Sequence, residues 1–264
     1  MASVTLTPTA LVTGRTTPQA PATYVGVVLV TITSVLVVDA SASLAVQRLL
    51  GVVTWAVLLL LLARESSVIR VQTLIVVVFA TAVEYTFSPL LEVYVYRFDN
   101  VPIYVPPGHG LVYLAAWSVG RLAFVKANER ACTALVLLVG GAWAAYGVTV
   151  AERPDALGAF WFLCLVGFLL WGPSRGLYIG AFVVVSYLEL VGTALGTWQW
   201  QPVDPTGLVS IGNPPSGAAG GYGWFDLVAL LAAPTVLAWI SRVRRPAPRD
   251  HPAAPEAGRA AGGR

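Results

Sequence analysis

The amino-acid sequence predicts an all-α membrane protein, a polytopic bundle of about eight transmembrane helices arranged as two parallel four-helix repeats. Composition points to the membrane: 57% of the 264 residues are hydrophobic and 11% are charged, against about 25% charged in a soluble domain. Distribution points to helices, because the charges sit in short clusters such as Arg64-Glu65, Arg121 to Arg130 and Arg242 to Arg249, with long apolar runs between them. Runs of roughly 20 apolar residues are what a bilayer-spanning helix needs. The third observation, a recurrence of the same features in both halves, predicts the repeat.

Apolar runs between charge or Pro/Gly breaks place the helices at 23–39, 44–63, 70–91, 109–126, 131–149, 157–172, 176–197 and 222–241. Only Asp39, the small run ASAS and Arg48 divide the first two. The third begins at Arg70 and carries Glu84. The fourth follows Pro106-Pro107-Gly108, the fifth follows Arg130, and the sixth lies between Pro154 and Pro173. The seventh opens at Arg175 and carries Glu189, and the eighth runs up to the Arg-rich segment from Ser241 to Arg249. This divides the chain into residues 1–22, a disordered Thr/Pro/Ala-rich tail without signal-peptide order, repeats at 23–126 and 127–241, and a disordered Pro/Gly/Ala-rich cytoplasmic tail at 242–264.

An even number of spans puts both termini on one side. Connections after the second, fourth and sixth helices hold Arg64, Arg70, Arg121, Lys126, Arg130 and Arg175, whereas the others hold Arg48, Arg97 and Arg153. Six cations against three, plus the tail, place the termini in the cytoplasm of a cell-membrane protein, with 92–108 and 198–221 facing outward. The net charge of +3 is therefore topology information, and no basic and aromatic stripe for nucleic acid is present. Cys132 and Cys164 fall in apolar runs, where cysteine behaves as a small hydrophobe.

The repeat rests on spacing. Arg70 lies fourteen residues before Glu84, as Arg175 lies fourteen before Glu189. Each Glu is followed by an aromatic-x-aromatic triplet, Tyr94-Val95-Tyr96 or Trp198-Gln199-Trp200, and then by Pro106-Pro107-Gly108 or Pro214-Pro215-Ser216. The equivalent helices are four apart, so they run the same way and the pseudo-twofold axis lies along the membrane normal. Glu84 and Glu189 then face each other across a pseudo-symmetric cavity.

An ionised carboxylate deep in an apolar helix costs about 2.5 kcal/mol or more, so a protonated Glu able to act as a general acid is the natural catalytic reading. The alternative is a Glu that fixes helix packing through Tyr, Arg97 or a backbone group. His109, in a stiff Pro- and Gly-bounded turn, either moves a proton or caps the loop, and a lone histidine makes no metal site. Tyr94, Tyr96, Tyr104, Trp198, Trp200, Tyr222 and Trp224 either form an interfacial belt or line a pocket for an unsaturated lipid or a carbocation held by ring faces. Asn213, in the second long connection, joins the candidate binding residues. Asp226 either caps the last helix or shares in catalysis. Arg70 and Arg175 anchor the inner surface, or bind an anionic headgroup.

From Glu189 to Pro215 the order acid, Gly, Gly-x-Trp-x-aromatic, Gly, Pro resembles the repeated signature of small membrane-embedded carotenoid-modifying proteins, the transmembrane-type lycopene cyclases and the carotenoid hydratases. The stretch from Glu84 through Tyr94-Val95-Tyr96 to Pro106-Pro107 is similar. The resemblance covers about a quarter of the chain, and where the cyclases place a pair of acids after the proline, this sequence has Ser216-Gly217 and Gly108-His109. It implies an isoprenoid substrate entering between helices and a Glu, Glu84 or Glu189, protonating an olefin without a cofactor. A proton- or cation-coupled carrier and a non-catalytic scaffold subunit are the competing expectations. No phosphate-binding Gly loop, nucleophile elbow, Cys cluster or His-rich metal motif is visible.

Overall fold

The computed structural model describes residues 20–243, so the expected tails, 1–22 and 242–264, lie almost wholly outside the described residues. The chain is a bundle of α-helices: α1 (Pro21–Asp39), α2 (Leu44–Leu62), α3 (Ser67–Tyr85), α4 (Val105–Arg121), the short α5 (Ala123–Ala127), α6 (Glu129–Thr149), α7 (Ala156–Trp171), α8 (Arg175–Ala194) and α9 (Ala218–Val243). Six of these, with α3 counted through Leu90, are long and apolar enough to cross a membrane. A 19-residue helix rises about 29 Å, close to the hydrocarbon thickness of a bilayer. The chain is a multi-pass membrane protein.

Local chemistry sets the helix ends. Pro106 and Pro107 do not precede α4 but form its first turn, which begins at Val105. A first-turn residue has no intrahelical partner for its N–H, so proline loses nothing there. The helix expected at 109–126 divides into α4 and α5 on either side of Leu122. α3 ends earlier than expected, at Tyr85, and continues as a π-helical turn over Thr86–Leu90 that contains Pro89. Asp155 caps α7 by accepting from Gly158 N at 2.9 Å.

Large side chains turn outward, including Leu49, Val52, Leu60, Leu138, Leu163 and Leu231. Lipid tails are as apolar as leucine, so exposure of this kind carries no penalty and close helix contact falls to small residues. α4 and α8 show it best: a Cβ added at Gly180 would run into the Ala116 carbonyl oxygen, and one at Gly120 into the backbone of Gly176. α3 packs on α9 as α8 packs on α4, and α1 packs on α4.

One two-stranded antiparallel ribbon joins the two long connections, β1 (Tyr94–Tyr96) with β2 (Trp198–Trp200), pairing Tyr94 with Trp200 and Tyr96 with Trp198. α3 and α8 therefore finish at the same end of the bundle. The α1–α2 connection reaches this end too, because Arg97 donates to Ala42 O. So does the α6–α7 connection, where Arg153 donates to Ile211 O and Trp200 O, each at 2.6 Å. At the opposite end Arg70 donates to Leu62 O and Ala63 O at 2.8 and 2.7 Å, and Arg175 donates to Leu169 O at 2.9 Å. Each arginine thus binds carbonyls in the last turn or just past the end of the helix before its own. Arg175 also pairs with Glu129 at 3.1 Å.

The α4–α8 contact gives a direct test. Gly180→Ala places a methyl against backbone that cannot swing aside, and the expected cost is about 1–3 kcal/mol, read as a lowered thermal midpoint in detergent. A variant as stable as the native chain would mean that the two helices are not in contact there.

Candidate functional site

The ribbon positions the site. Side chains alternate across a strand, so Tyr94, Tyr96, Trp198 and Trp200 all turn into the bundle and are buried, while Val95 and Gln199 turn away. Beneath them lie the carboxylates of α3 and α8. Tyr94 and Tyr96 donate their hydroxyls to Glu84 Oε2 at 2.9 and 2.8 Å. Trp198 and Trp200 donate their indole N–H groups to Glu189 Oε2, both at 3.1 Å. The aromatic-x-aromatic spacing is thus the spacing of two donors on one strand face, aimed at one oxygen.

Burial, and next the charge of Glu84, push the Tyr94 and Tyr96 hydroxyls well above their ordinary range. Both stay protonated and keep donating. Ring contacts hold the array together, across the strands with Tyr94 and Trp200 centroids 4.5 Å apart, and within β1 with Tyr94 and Tyr96 edge-to-face at 5.9 Å.

The two carboxylates differ in their second oxygen. Glu84 Oε1 meets His109 Nε2 at 2.8 Å, the ring tautomer deciding which atom donates. The His109 ring is stacked on Tyr222 at 5.1 Å with the edge of Phe225 at 5.6 Å, and its Nδ1 is buried without a hydrogen bond among the described residues. Glu189 Oε1 has no hydrogen-bond partner among the described residues, and Glu189 borders a cavity of about 270 Å³. Glu84 and His109 border the same cavity, whose other walls are aromatic and aliphatic and include Trp161, Tyr222 and Trp224.

Of the residues singled out in the sequence, Glu84, Glu189, His109, Tyr94, Tyr96, Trp198 and Trp200 therefore come together around one cavity. Asn213 and Asp226 do not line it. Asn213 lies behind the ribbon, where its Oδ1 accepts from Trp200 N at 3.0 Å. Asp226 neither caps α9 nor opens to water, because α9 starts at Ala218 and Asp226 is buried two turns further along. His109 is not a loop cap either, since it stands in the first turns of α4 and bonds to Glu84.

Sequence reasoning missed Trp161, which meets Trp200 edge-on at 5.7 Å, because nothing separates it from neighbouring apolar residues of α7. It also missed Asp155, one of two acids that flank Arg153-Pro154 before α7. Asp39 was seen only as a break between helices. It is fully buried and accepts from Gln47 at 2.9 Å and from the cavity-wall residue Tyr104 at 2.9 Å.

The unequal oxygens have a measurable consequence. A hydrophobic carbodiimide reacts with a carboxyl whose oxygen is free in an apolar space, so Glu189 is expected to be modified several-fold faster than Glu84, read by peptide mass spectrometry. Equal or reversed rates would contradict the difference between the two carboxyls.

No protein-family model, curated protein or solved structure matches this chain, so its functional reading rests on the residues and geometry described above.

Proposed function

We propose that this chain is a membrane enzyme that rearranges or hydrates an unsaturated, isoprenoid-like lipid by acid–base catalysis, as its resemblance to carotenoid-modifying proteins implies. The observation that carries the reading is that two buried glutamates, each held by aromatic donors, border one largely apolar cavity. A carrier would call for a polar, water-lined path at the same place.

In this reading Glu189 is the acid. An indole N–H can only donate, so Trp198 and Trp200 keep Glu189 Oε2 as the acceptor and leave Oε1 to carry a proton into the cavity. That proton adds to one carbon of a C=C bond, leaving a carbocation on the other. The ring faces of Tyr94, Trp161, Trp200 and Tyr222 stabilise the positive charge, and the apolar walls limit its capture by bulk water. A neighbouring double bond then closes on the cation, or a water molecule admitted with the substrate adds to it. The surplus proton passes to the Glu84–His109 pair and returns from there to Glu189. The sum is an isomerisation or a hydration, balanced in electrons and independent of any redox partner.

The same reading takes α4 and α7 as short spans, giving eight crossings in two parallel repeats, α1–α4 and α6–α9, with both termini in the cytoplasm. Three features support it. α3 and α8 end at the same ribbon, α3 packs on α9 as α8 packs on α4, and Arg70 and Arg175 make equivalent ties to the preceding helix.

Producing the chain in a bacterial host that accumulates carotenoids is expected to change the host's extracted pigments or isoprenoids. Glu189→Gln and Glu84→Gln should each lower that conversion about 100-fold or more while expression and thermal midpoint are retained. An unchanged lipid profile with the native chain would favour a carrier or a scaffold, and full conversion by both variants would remove the two-acid mechanism. For topology, alkaline phosphatase fused after residue 243 is expected to be inactive and fused after residue 99 to be active. The reverse pattern would invert the orientation.

A further inference from the structure

Trp200 is held from behind as closely as it is held in front. Its N–H donates to Asn213 Oδ1 at 3.0 Å, and its carbonyl accepts from Arg153 at 2.6 Å. Both of its backbone groups are thus fixed by side chains outside the ribbon. The loop that carries Asn213 is in turn held by Asp155, which is buried. Asp155 Oδ1 accepts from Gly158 N at 2.9 Å and Gly212 N at 2.8 Å, and Oδ2 accepts from Ser216 N at 2.7 Å. The last two of these amides flank Asn213 in the chain. A Cβ at Gly212 would meet the Asp155 carboxyl carbon, so the loop closes on the carboxylate as tightly as a residue without a side chain allows.

We propose that Asp155 is a positioning residue for Glu189: by gripping the backbone on both sides of Asn213 it fixes Trp200 and aims its indole at the acid. The route has few steps. Asp155 holds Gly212 and Ser216, Asn213 between them holds the Trp200 amide, and Trp200 Nε1 holds Glu189 Oε2 at 3.1 Å. Three N–H groups on one buried carboxylate satisfy donors that would otherwise be orphaned. Arg153, two residues away, sets the other side of Trp200 through its carbonyl and also binds Ile211 O at 2.6 Å. The connection between α6 and α7 therefore does more than turn the chain, since it orients the donor that decides which Glu189 oxygen is free.

The catalytic meaning rests on the reading of Glu189 as the acid, whereas the positioning itself can be read without any substrate. Asp155→Asn keeps one acceptor oxygen and turns an amide NH2 toward a backbone N–H, and Asn213→Ala removes only the acceptor for the Trp200 amide. In protein labelled with ¹⁵N-tryptophan and held in micelles, the Trp200 indole N–H resonance, assigned with Trp200→Phe, is expected to move in both variants. The resonances of Trp55 and Trp239 are expected to stay in place. Lipid conversion should fall about tenfold to a hundredfold, because a displaced donor misorients the acid.

A folded variant of either kind with the Trp200 resonance unmoved overturns the proposal, and so does a moved resonance with conversion at the native rate. Should Asp155→Asn fail to fold, Asn213→Ala alone decides. A moved Trp200 in a chain whose native form converts no lipid supports the positioning and overturns the enzymatic reading, so the two failures are told apart.

Discussion

Two carboxylates sit inside a bundle whose outer surface is leucine and valine, and no bulk water is there to solvate them. The protein must supply their hydrogen bonds itself, and the rest of the structure follows from where those donors come from. Apart from His109 on Glu84 Oε1, they do not come from neighbouring helices, whose backbone N–H groups are already used within the helix. They come from a ribbon of two three-residue strands at one end of the bundle. A strand is the element that presents alternate side chains on one face, so Tyr94 with Tyr96, and Trp198 with Trp200, can each converge on a single oxygen.

That solution imposes conditions on everything near the ribbon. The strands lie in separate long connections, so both connections must be held in register, and a buried Asp with a half-buried Arg does this on each side. On one side Asp39 accepts from Gln47 and Tyr104 while Arg97 reaches Ala42 O. On the other Asp155 gathers backbone amides while Arg153 reaches the carbonyls of Trp200 and Ile211. Each buried acid is matched to fixed donors in the way that dry interiors require. The roof is therefore stiff, and stiffness in the roof is what keeps the four rings oriented over the cavity.

Much of this was legible in the sequence. Charge scarcity and run length identified a helical membrane protein, because the bilayer selects for one property over about 20 residues at a time. The equal spacing of Arg70 to Glu84 and Arg175 to Glu189 marked the two helices that carry the site, and seven of the nine singled-out side chains border one cavity. The ribbon was not legible as a pair of strands. Three residues are too few to show a period, and the pairing partner lies 106 positions away for Tyr94 and 102 for Tyr96, in the other long connection. Asp226 misled because its position was judged from a helix start four residues too late: proline and glycine signals mark where a helix cannot continue, but in a first turn both are tolerated. Asp155 was invisible because its partners are backbone amides, which carry no residue identity.

The two glutamate sites also show how one layout yields two different carboxyl environments. Both glutamates receive two donors on Oε2 from an aromatic-x-aromatic strand. Tyrosine can accept as well as donate, whereas an indole only donates, so the pairs are alike in geometry and unlike in chemistry. His109 then completes the difference. It stands three positions after Pro106, in the first turns of α4, and occupies the remaining oxygen of Glu84. The corresponding turn of the second half carries Ser216 and Gly217, neither of which reaches Glu189. The scaffold thereby offers one carboxyl that is surrounded and one with an oxygen facing the cavity, and the proposed acid–base roles rest on that inequality.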